Sequence, residues 1–243
     1  MNSILSLVIK YEKWVKRMRQ ILCFGDSNTF GLVPGTVGRY EWGTRWTSIL
    51  DERVRNQGYR VLEEGLCGRT TIFDDSTRIG RRGTELLPVL LESHKPLDIV
   101  ILMLGTNDCK TAYHASAEEI GEGVEQLIDQ IRVSNPDIQI ILASPIALGE
   151  GVWEEGYDIE FDLHSREVSK QLPEVYRRIA EKRKIDFLAA SDYVTPSITD
   201  REHMDAEGHR KFADAITKKV EEVIQRTAQS DKSNLLRYEG FAS

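Results

Sequence analysis

A single α/β domain, built as a three-layer α/β/α sandwich around a parallel sheet, is the fold that this 243-residue sequence predicts. Two observations lead there. Short apolar runs recur at 19–25, 59–64, 97–104, 138–144 and 185–190, separated by longer stretches of helical spacing with charged faces, which is the alternation of parallel strands and crossover helices. The runs are rich in Val, Ile and Leu with little polar alternation, so the sheet is expected to be covered on both faces. No internal repeat and no linker divides the chain.

Each element follows in order. Residues 1–17 have an apolar centre but no basic leader and no small-residue cleavage site, so they read as a short amphipathic extension rather than a secretory signal; a start at Met18 is the alternative. The domain proper is expected to span 18–228. Strand one stops abruptly at Gly25-Asp26-Ser27-Asn28, and a helix over 44–57 leads to strand two, which ends in Gly65-Leu66-Cys67-Gly68-Arg69. A helix over 84–94 precedes strand three and its end, Gly105-Thr106-Asn107-Asp108. The helix over 117–134 carries one apolar stripe, Ile120, Val124, Leu127, Ile128 and Ile131, and strand four then ends in Ser144-Pro145. The connection Gly149 to Ser165 is long and holds Trp153, Tyr157 and Phe161; it reads equally as a disordered or oligomer-facing loop and as a wall of a substrate site. Helices over 165–183 and 206–226 flank strand five, and 229–243 is expected to be a loosely held polar tail.

Composition narrows the function. With 32 Lys+Arg against 39 Asp+Glu the net charge is -7, which disfavours nucleic acid or an anionic membrane as partner and leaves a small molecule. No apolar stretch reaches the length of a membrane span. Cys23, Cys67 and Cys109 are odd in number, widely spaced and without a Cys-x-x-Cys pair, so neither a disulfide framework nor a zinc knuckle is expected, and a reducing, cytoplasmic setting fits. They read as packing residues, with oxidative control through displacement of Gly68 or Asn107 as the alternative for Cys67 and Cys109.

In open parallel sheets the functional crevice lies beyond the carboxyl ends of the strands. Here those ends gather a hydroxyl, an unhindered glycine amide and a carboxamide. A serine hydroxyl needs a base in contact, usually a histidine held by a carboxylate. Five histidines are available. His94 and His164 fall in or near helices and His114 follows strand three closely, so all read as surface or packing residues, whereas His203 follows Asp200 by three, so one turn can set the carboxylate against one imidazole nitrogen and leave the other facing the crevice. Asp205 is an apt helix N-cap and His209 lies in the first turns beyond it, so both are assigned to structure. A metal held by Asp200, His203 and His209 matches no dense ligand motif, and neither metal nor cofactor is expected.

These blocks together resemble the SGNH hydrolase superfamily, also called GDSL esterases. Gly25-Asp26-Ser27-Asn28, Gly68, Gly105-Thr106-Asn107-Asp108 and Asp200-x-x-His203 occur in the superfamily's order over about residues 19–226. Glu63 to Thr71 with Asp74-Asp75, and Met103 to Asp108, look like the bacterial arylesterase and acyltransferase branch. The resemblance implies a flavodoxin-like five-stranded sheet in the order 2-1-3-4-5, hydrolysis of small, acetyl-type esters of aryl alcohols or sugars with acyl transfer as a second outcome, and a homo-oligomer. It makes Ser27 nucleophile, His203 general base and then acid, Asp200 its orienting carboxylate, and the N–H of Ser27, the N–H of Gly68 and the carboxamide of Asn107 an oxyanion hole. Asp26 and Asp108 shape their turns. Asn28 stands where the family commonly has leucine and Phe30 where close relatives have tryptophan; with Trp153 they are expected to shape the substrate site. A lysophospholipase or thioesterase, and a non-catalytic carbohydrate- or lipid-binding module on the same fold, are the rival readings.

Overall fold

The computed structural model describes the backbone of residues 17–240 and the side chains of 17–229. Five parallel strands, β1 Arg19–Gly25, β2 Tyr59–Gly65, β3 Ile99–Met103, β4 Gln139–Ser144 and β5 Asp186–Ala189, form one sheet in the order β2-β1-β3-β4-β5. The helices are α1 Ser27–Phe30, α2 Trp46–Arg55, α3 Gly83–Ser93, α4 Ala117–Ser134, α5 Leu163–Arg183 and α6 Ala206–Gly240. The layer order and the sheet order are those expected from the sequence.

Side chains alternate across a strand, so an apolar strand feeds two cores. In β1, Ile21 and Cys23 join Trp46, Leu50, Phe212 and Ile216 on the α2/α6 face, whereas Leu22 and Phe24 join Leu87, Ile120 and Leu172 on the α3/α4/α5 face. In β3, Ile101 and Met103 take the first face and Val100 and Leu102 the second. Each fully buried Ile or Leu contributes about 1.5–3 kcal/mol of transfer free energy, and only a sheet covered on both sides buries both sets. The stripe on α4, from Ile120 to Ile131, is buried throughout, and its first turn is closed by a capping box between Ser116 and Glu119.

Three differences from the sequence reading stand out. The four-residue helix α1, begun at Ser27, follows β1 directly with Asp26 as its N-cap; it is too short to carry a periodic signal. Helix α6 continues past residue 226 to Gly240, through the segment expected to be a loose tail. Residues 226–239 contain neither Pro nor Gly and are mostly good helix formers, so nothing local stops the helix before Gly240. Finally, α5 starts at Leu163 behind an Asp162/Ser165 capping box, which shortens the preceding connection. The expected N-terminal extension lies, apart from Arg17, outside the described residues. Among the described residues no helix is long and apolar enough to cross a membrane.

Candidate active site

The sheet register decides what meets at its carboxyl edge. Gly25 pairs with Gly65 on one side and with Met103 on the other, so the segments after β1, β2 and β3 leave the sheet at one level. The first forms α1. Asp26 caps it by accepting from the Asn28 N–H at 3.0 Å, and this sets Ser27 in the first turn, buried to 3 % exposure. The helix can lie this close to β2 because Gly65 has no side chain: a Cβ there would stand 2.1 Å from the Phe30 nitrogen.

The second segment supplies Gly68 at φ 82°, a left-handed conformation. A Cβ on Gly68 would fall 2.4 Å from the Arg78 Nη2, the far end of a side chain that can shift, so it is the backbone conformation that calls for glycine. Arg69, next in the chain, is buried; its Nη1 donates to the Gly25 carbonyl at 2.9 Å and to the Glu64 carbonyl, and its guanidinium lies 4.1 Å from the centroid of Phe24. Burial lowers its pKa to about 10, which leaves it charged at neutral pH. It thereby ties the ends of β1 and β2 to the Gly68 turn.

The third segment supplies Asn107 in a single 3-10 turn, Asn107–Cys109. Its Nδ2 donates to the Arg69 carbonyl at 3.1 Å. A carboxamide carries two N–H donors, so the second is left for the crevice. Asp108 turns inward and accepts from the Thr71 N–H at 2.9 Å and from the Thr71 hydroxyl, which joins the second and third segments from beneath. Burial raises its pKa to about 6 against those hydrogen bonds. Neither the Ser27 nor the Gly68 N–H donates to another described group.

His203 reaches this edge from the loop between β5 and α6. Its Nε2 lies 2.8 Å from Ser27 Oγ and its Nδ1 2.8 Å from Asp200 Oδ2. With the Nδ1 proton donated to the carboxylate, Nε2 is the acceptor for the serine hydroxyl. Asp200 also accepts from the N–H groups of Gly35 at 3.0 Å, Glu202 at 3.1 Å and His203 at 3.0 Å. Burial opposes its ionisation, but these hydrogen bonds and the imidazole hold its pKa below the ordinary carboxylate value. Burial alone would lower the His203 pKa; the charges of Glu202 and Asp200 and the Asp200 hydrogen bond outweigh it and raise the pKa above that of a free imidazole.

A strong base held against a hydroxyl, with N–H donors across from it, is the arrangement for acyl transfer through a covalent serine. A family model for the GDSL-like lipase/acylhydrolase family matches residues 23–211. The chain belongs to that family. Among solved structures, Est24, a carbohydrate acetylesterase from Sinorhizobium meliloti, is 36% identical with a TM-score of 0.77 over 84% of this chain and 99% of its own. The inhibitor-bound aryl esterase of M. smegmatis is 30% identical with a TM-score of 0.78 over 84% and 99%. A further carbohydrate acetylesterase family member from Sinorhizobium meliloti is 31% identical with a TM-score of 0.78 over 84% and 97%. No curated protein matches the chain. This GDSL-family protein is thus a carboxylic ester hydrolase of the SGNH superfamily.

Other expected site residues lie elsewhere. The Asn28 carboxamide oxygen accepts from the Met204 N–H at 2.9 Å and the residue is 2% exposed, so its side chain fastens α1 to the histidine loop. Phe30 lies under the Arg39 guanidinium, 4.6 Å from ring centroid to Cζ. Trp153 packs half-buried against the α3/α4/α5 core. The connection that carries it is tied to its neighbours at two places: Arg201 donates to the Gly151 carbonyl at 2.8 Å, pairs with Glu154 at 2.6 Å and lies 3.8 Å from the centroid of Tyr157, while Lys110 pairs with Glu160 at 2.6 Å. His209 is buried, with its pKa lowered to about 4 by burial and its Nδ1 accepting from the Trp46 N–H at 3.4 Å, while Asp205 Oδ1 accepts from the Gly208 N–H at 2.7 Å at the start of α6. Cys23 and Cys109 are buried and burial pushes their thiols well up, in keeping with packing roles.

One site residue escapes sequence reasoning. Glu202 is 7% exposed and its Oε1 stands 3.5 Å from His203 Nε2. Arg201 at φ 62° makes the tight turn that brings the next side chain round to the base. In the sequence Glu202 is one acid among many, and only its place inside the Asp200/His203 spacing could have singled it out.

Proposed function

We propose that the protein hydrolyses short-chain, acetyl-type esters of small aryl or sugar alcohols through an acyl-Ser27 intermediate. The observation that carries this reading is the continuous line from Asp200 Oδ2 through His203 to Ser27 Oγ, with 2.8 Å at each junction. As Ser27 Oγ attacks the ester carbonyl, His203 Nε2 takes its proton and Asp200 stabilises the imidazolium. The carbonyl oxygen becomes an oxyanion received by the N–H groups of Ser27 and Gly68 and the free amide N–H of Asn107. Collapse breaks the bond to the alcohol oxygen, which receives the proton from Nε2. A water then repeats the sequence on the acyl-enzyme, and an alcohol in its place gives acyl transfer.

The acetyl preference is supported by the names of Est24 and its fellow carbohydrate acetylesterase, and the aryl leaving group by that of the M. smegmatis enzyme. Ser27→Ala and His203→Ala are each expected to lose roughly a thousandfold or more in p-nitrophenyl acetate turnover while folding normally, as members of a cooperative triad do. A p-nitrophenyl series from acetyl to palmitoyl should fall off with chain length. Rising rates along that series would instead assign the protein to long-chain substrates.

A further inference from the structure

Glu202 presents a buried carboxylate without a donor, at the most reactive point of the molecule. Its side chain is 9% exposed, and apart from the 3.5 Å approach to His203 Nε2 its oxygens meet no donor among the described residues. The cations nearby are committed elsewhere. Lys110 is held by Glu160 at 2.6 Å, and Arg201 by Glu154 at 2.6 Å and the Gly151 carbonyl at 2.8 Å. Nε2 itself faces Ser27 Oγ at the shorter distance of 2.8 Å. The other charged groups that face Glu202, Asp158 and Asp200, are acids and only worsen its isolation. The carboxylate is largely but not completely buried, and its oxygens are not sealed from the crevice, so a substrate donor can take the place of water there.

We infer that Glu202 is a specificity-determining residue that binds a hydroxyl on the carbon next to the ester oxygen, so that the enzyme favours monoesters of vicinal diols and polyols. The inference rests on the esterase reading above and adds the part of the substrate that is recognised. Geometry assigns the side of the substrate. His203 Nε2 must return its proton to the leaving oxygen, so that oxygen lies beside Nε2, away from the N–H groups of Gly68 and Asn107. Glu202 Oε1 borders the same nitrogen, and a vicinal hydroxyl stands one hydrogen-bond length from its ester neighbour. Chemistry selects a hydroxyl over an ammonium group. A substrate cation at Glu202 would face the imidazolium that forms on His203 in the transition state, whereas a neutral hydroxyl adds no such repulsion.

The test compares two esters that differ only in that hydroxyl, cyclohexyl acetate and trans-1,2-cyclohexanediol monoacetate, with wild type, Glu202→Gln and Glu202→Leu. Wild type should prefer the diol ester, and the ratio of kcat/KM for the two esters should fall about tenfold or more in Glu202→Leu, as when a charged acceptor to substrate is lost. Glu202→Gln, which keeps an acceptor oxygen, should fall between. Equal losses on both esters in Glu202→Leu, or a wild type indifferent to the hydroxyl, would overturn the inference while leaving the esterase standing. A wild type that turns over neither ester and no p-nitrophenyl acetate would remove the esterase reading, and this inference with it.

Discussion

Asn107 has two amide N–H groups, and the Arg69 carbonyl engages the Nδ2 atom at 3.1 Å, which restrains the carboxamide and leaves the second N–H for the oxyanion role proposed above. A donor restrained in this way needs no reorganisation when the oxyanion forms. Asn107→Ala is therefore expected to cost about 10²–10³ in kcat with little change in unfolding midpoint, checked by steady-state kinetics and thermal melts. The base carries a pH prediction. His203 must be neutral to accept the serine proton, and its pKa is raised, so kcat/KM should climb with pH through a value above that of a free imidazole. Glu202, whose own pKa is raised to about 7 by burial, contributes its negative charge to that shift along with Asp200 and Asp26. Replacing it by Gln removes an anion that favours the imidazolium. The acid limb of the profile should accordingly move to lower pH in Glu202→Gln, and a profile unchanged or moved upward would contradict the assignment.

Helix α1 and the histidine loop are joined by few bonds, and each can be weighed. Asn28 Oδ1 takes the Met204 N–H at 2.9 Å, and the Trp46 indole donates to the Asn28 carbonyl at 3.1 Å. Trp46 also meets Phe212 edge to face, with centroids 5.1 Å apart, so α2 and α6 hold the nucleophile turn from below. Trp46→Ala should cost about 3–5 kcal/mol in denaturant unfolding, since it removes a fully buried indole and leaves a cavity. Asn28→Ala should spare more of the stability yet lower kcat by on the order of tenfold to a hundredfold, because it frees the loop that registers His203 on Ser27. The strands and the helices flanking them were legible because their apolar periods are long. Ser27, Asn107 and the Asp200/His203 pair were legible because a short motif follows each strand. The role of Asn28 was not, since a carboxamide beside a nucleophile looks the same whether it faces substrate or a backbone N–H supplied from Met204. Glu202 was hidden likewise: its importance comes from a left-handed Arg201 and from cations that chose other partners, and neither leaves a mark in spacing.

At the scale of the whole molecule, the fold concentrates function on one edge of a sheet whose two faces are both covered. The long connection after β4 is tied to the histidine loop through Arg201 and to the turn that carries Asn107 through Lys110. Charge works at the same scale. A net charge of -7, with Asp158, Asp200 and Glu202 around the base, sets a field that repels anionic substrates. The anion 4-acetoxybenzoate should be cleaved with a lower kcat/KM than its uncharged methyl ester, and the gap should narrow as added salt shortens the Debye length from about 10 Å at 0.1 M. A gap that ignores salt would assign the discrimination to shape instead.

In the proposed mechanism Ser27 is the nucleophile, activated by His203, and the substrate oxyanion is received by the N–H groups of Ser27, Gly68 and Asn107. The most direct measurement is covalent labelling of the native protein with a p-nitrophenyl phosphonate, followed by mass mapping of the adduct. One phosphonyl group on Ser27, formed in step with loss of esterase activity and absent from His203→Ala on the same timescale, is the expected result. Inactivation with the adduct on any other residue, or labelling of Ser27 at an undiminished rate without His203, would contradict it.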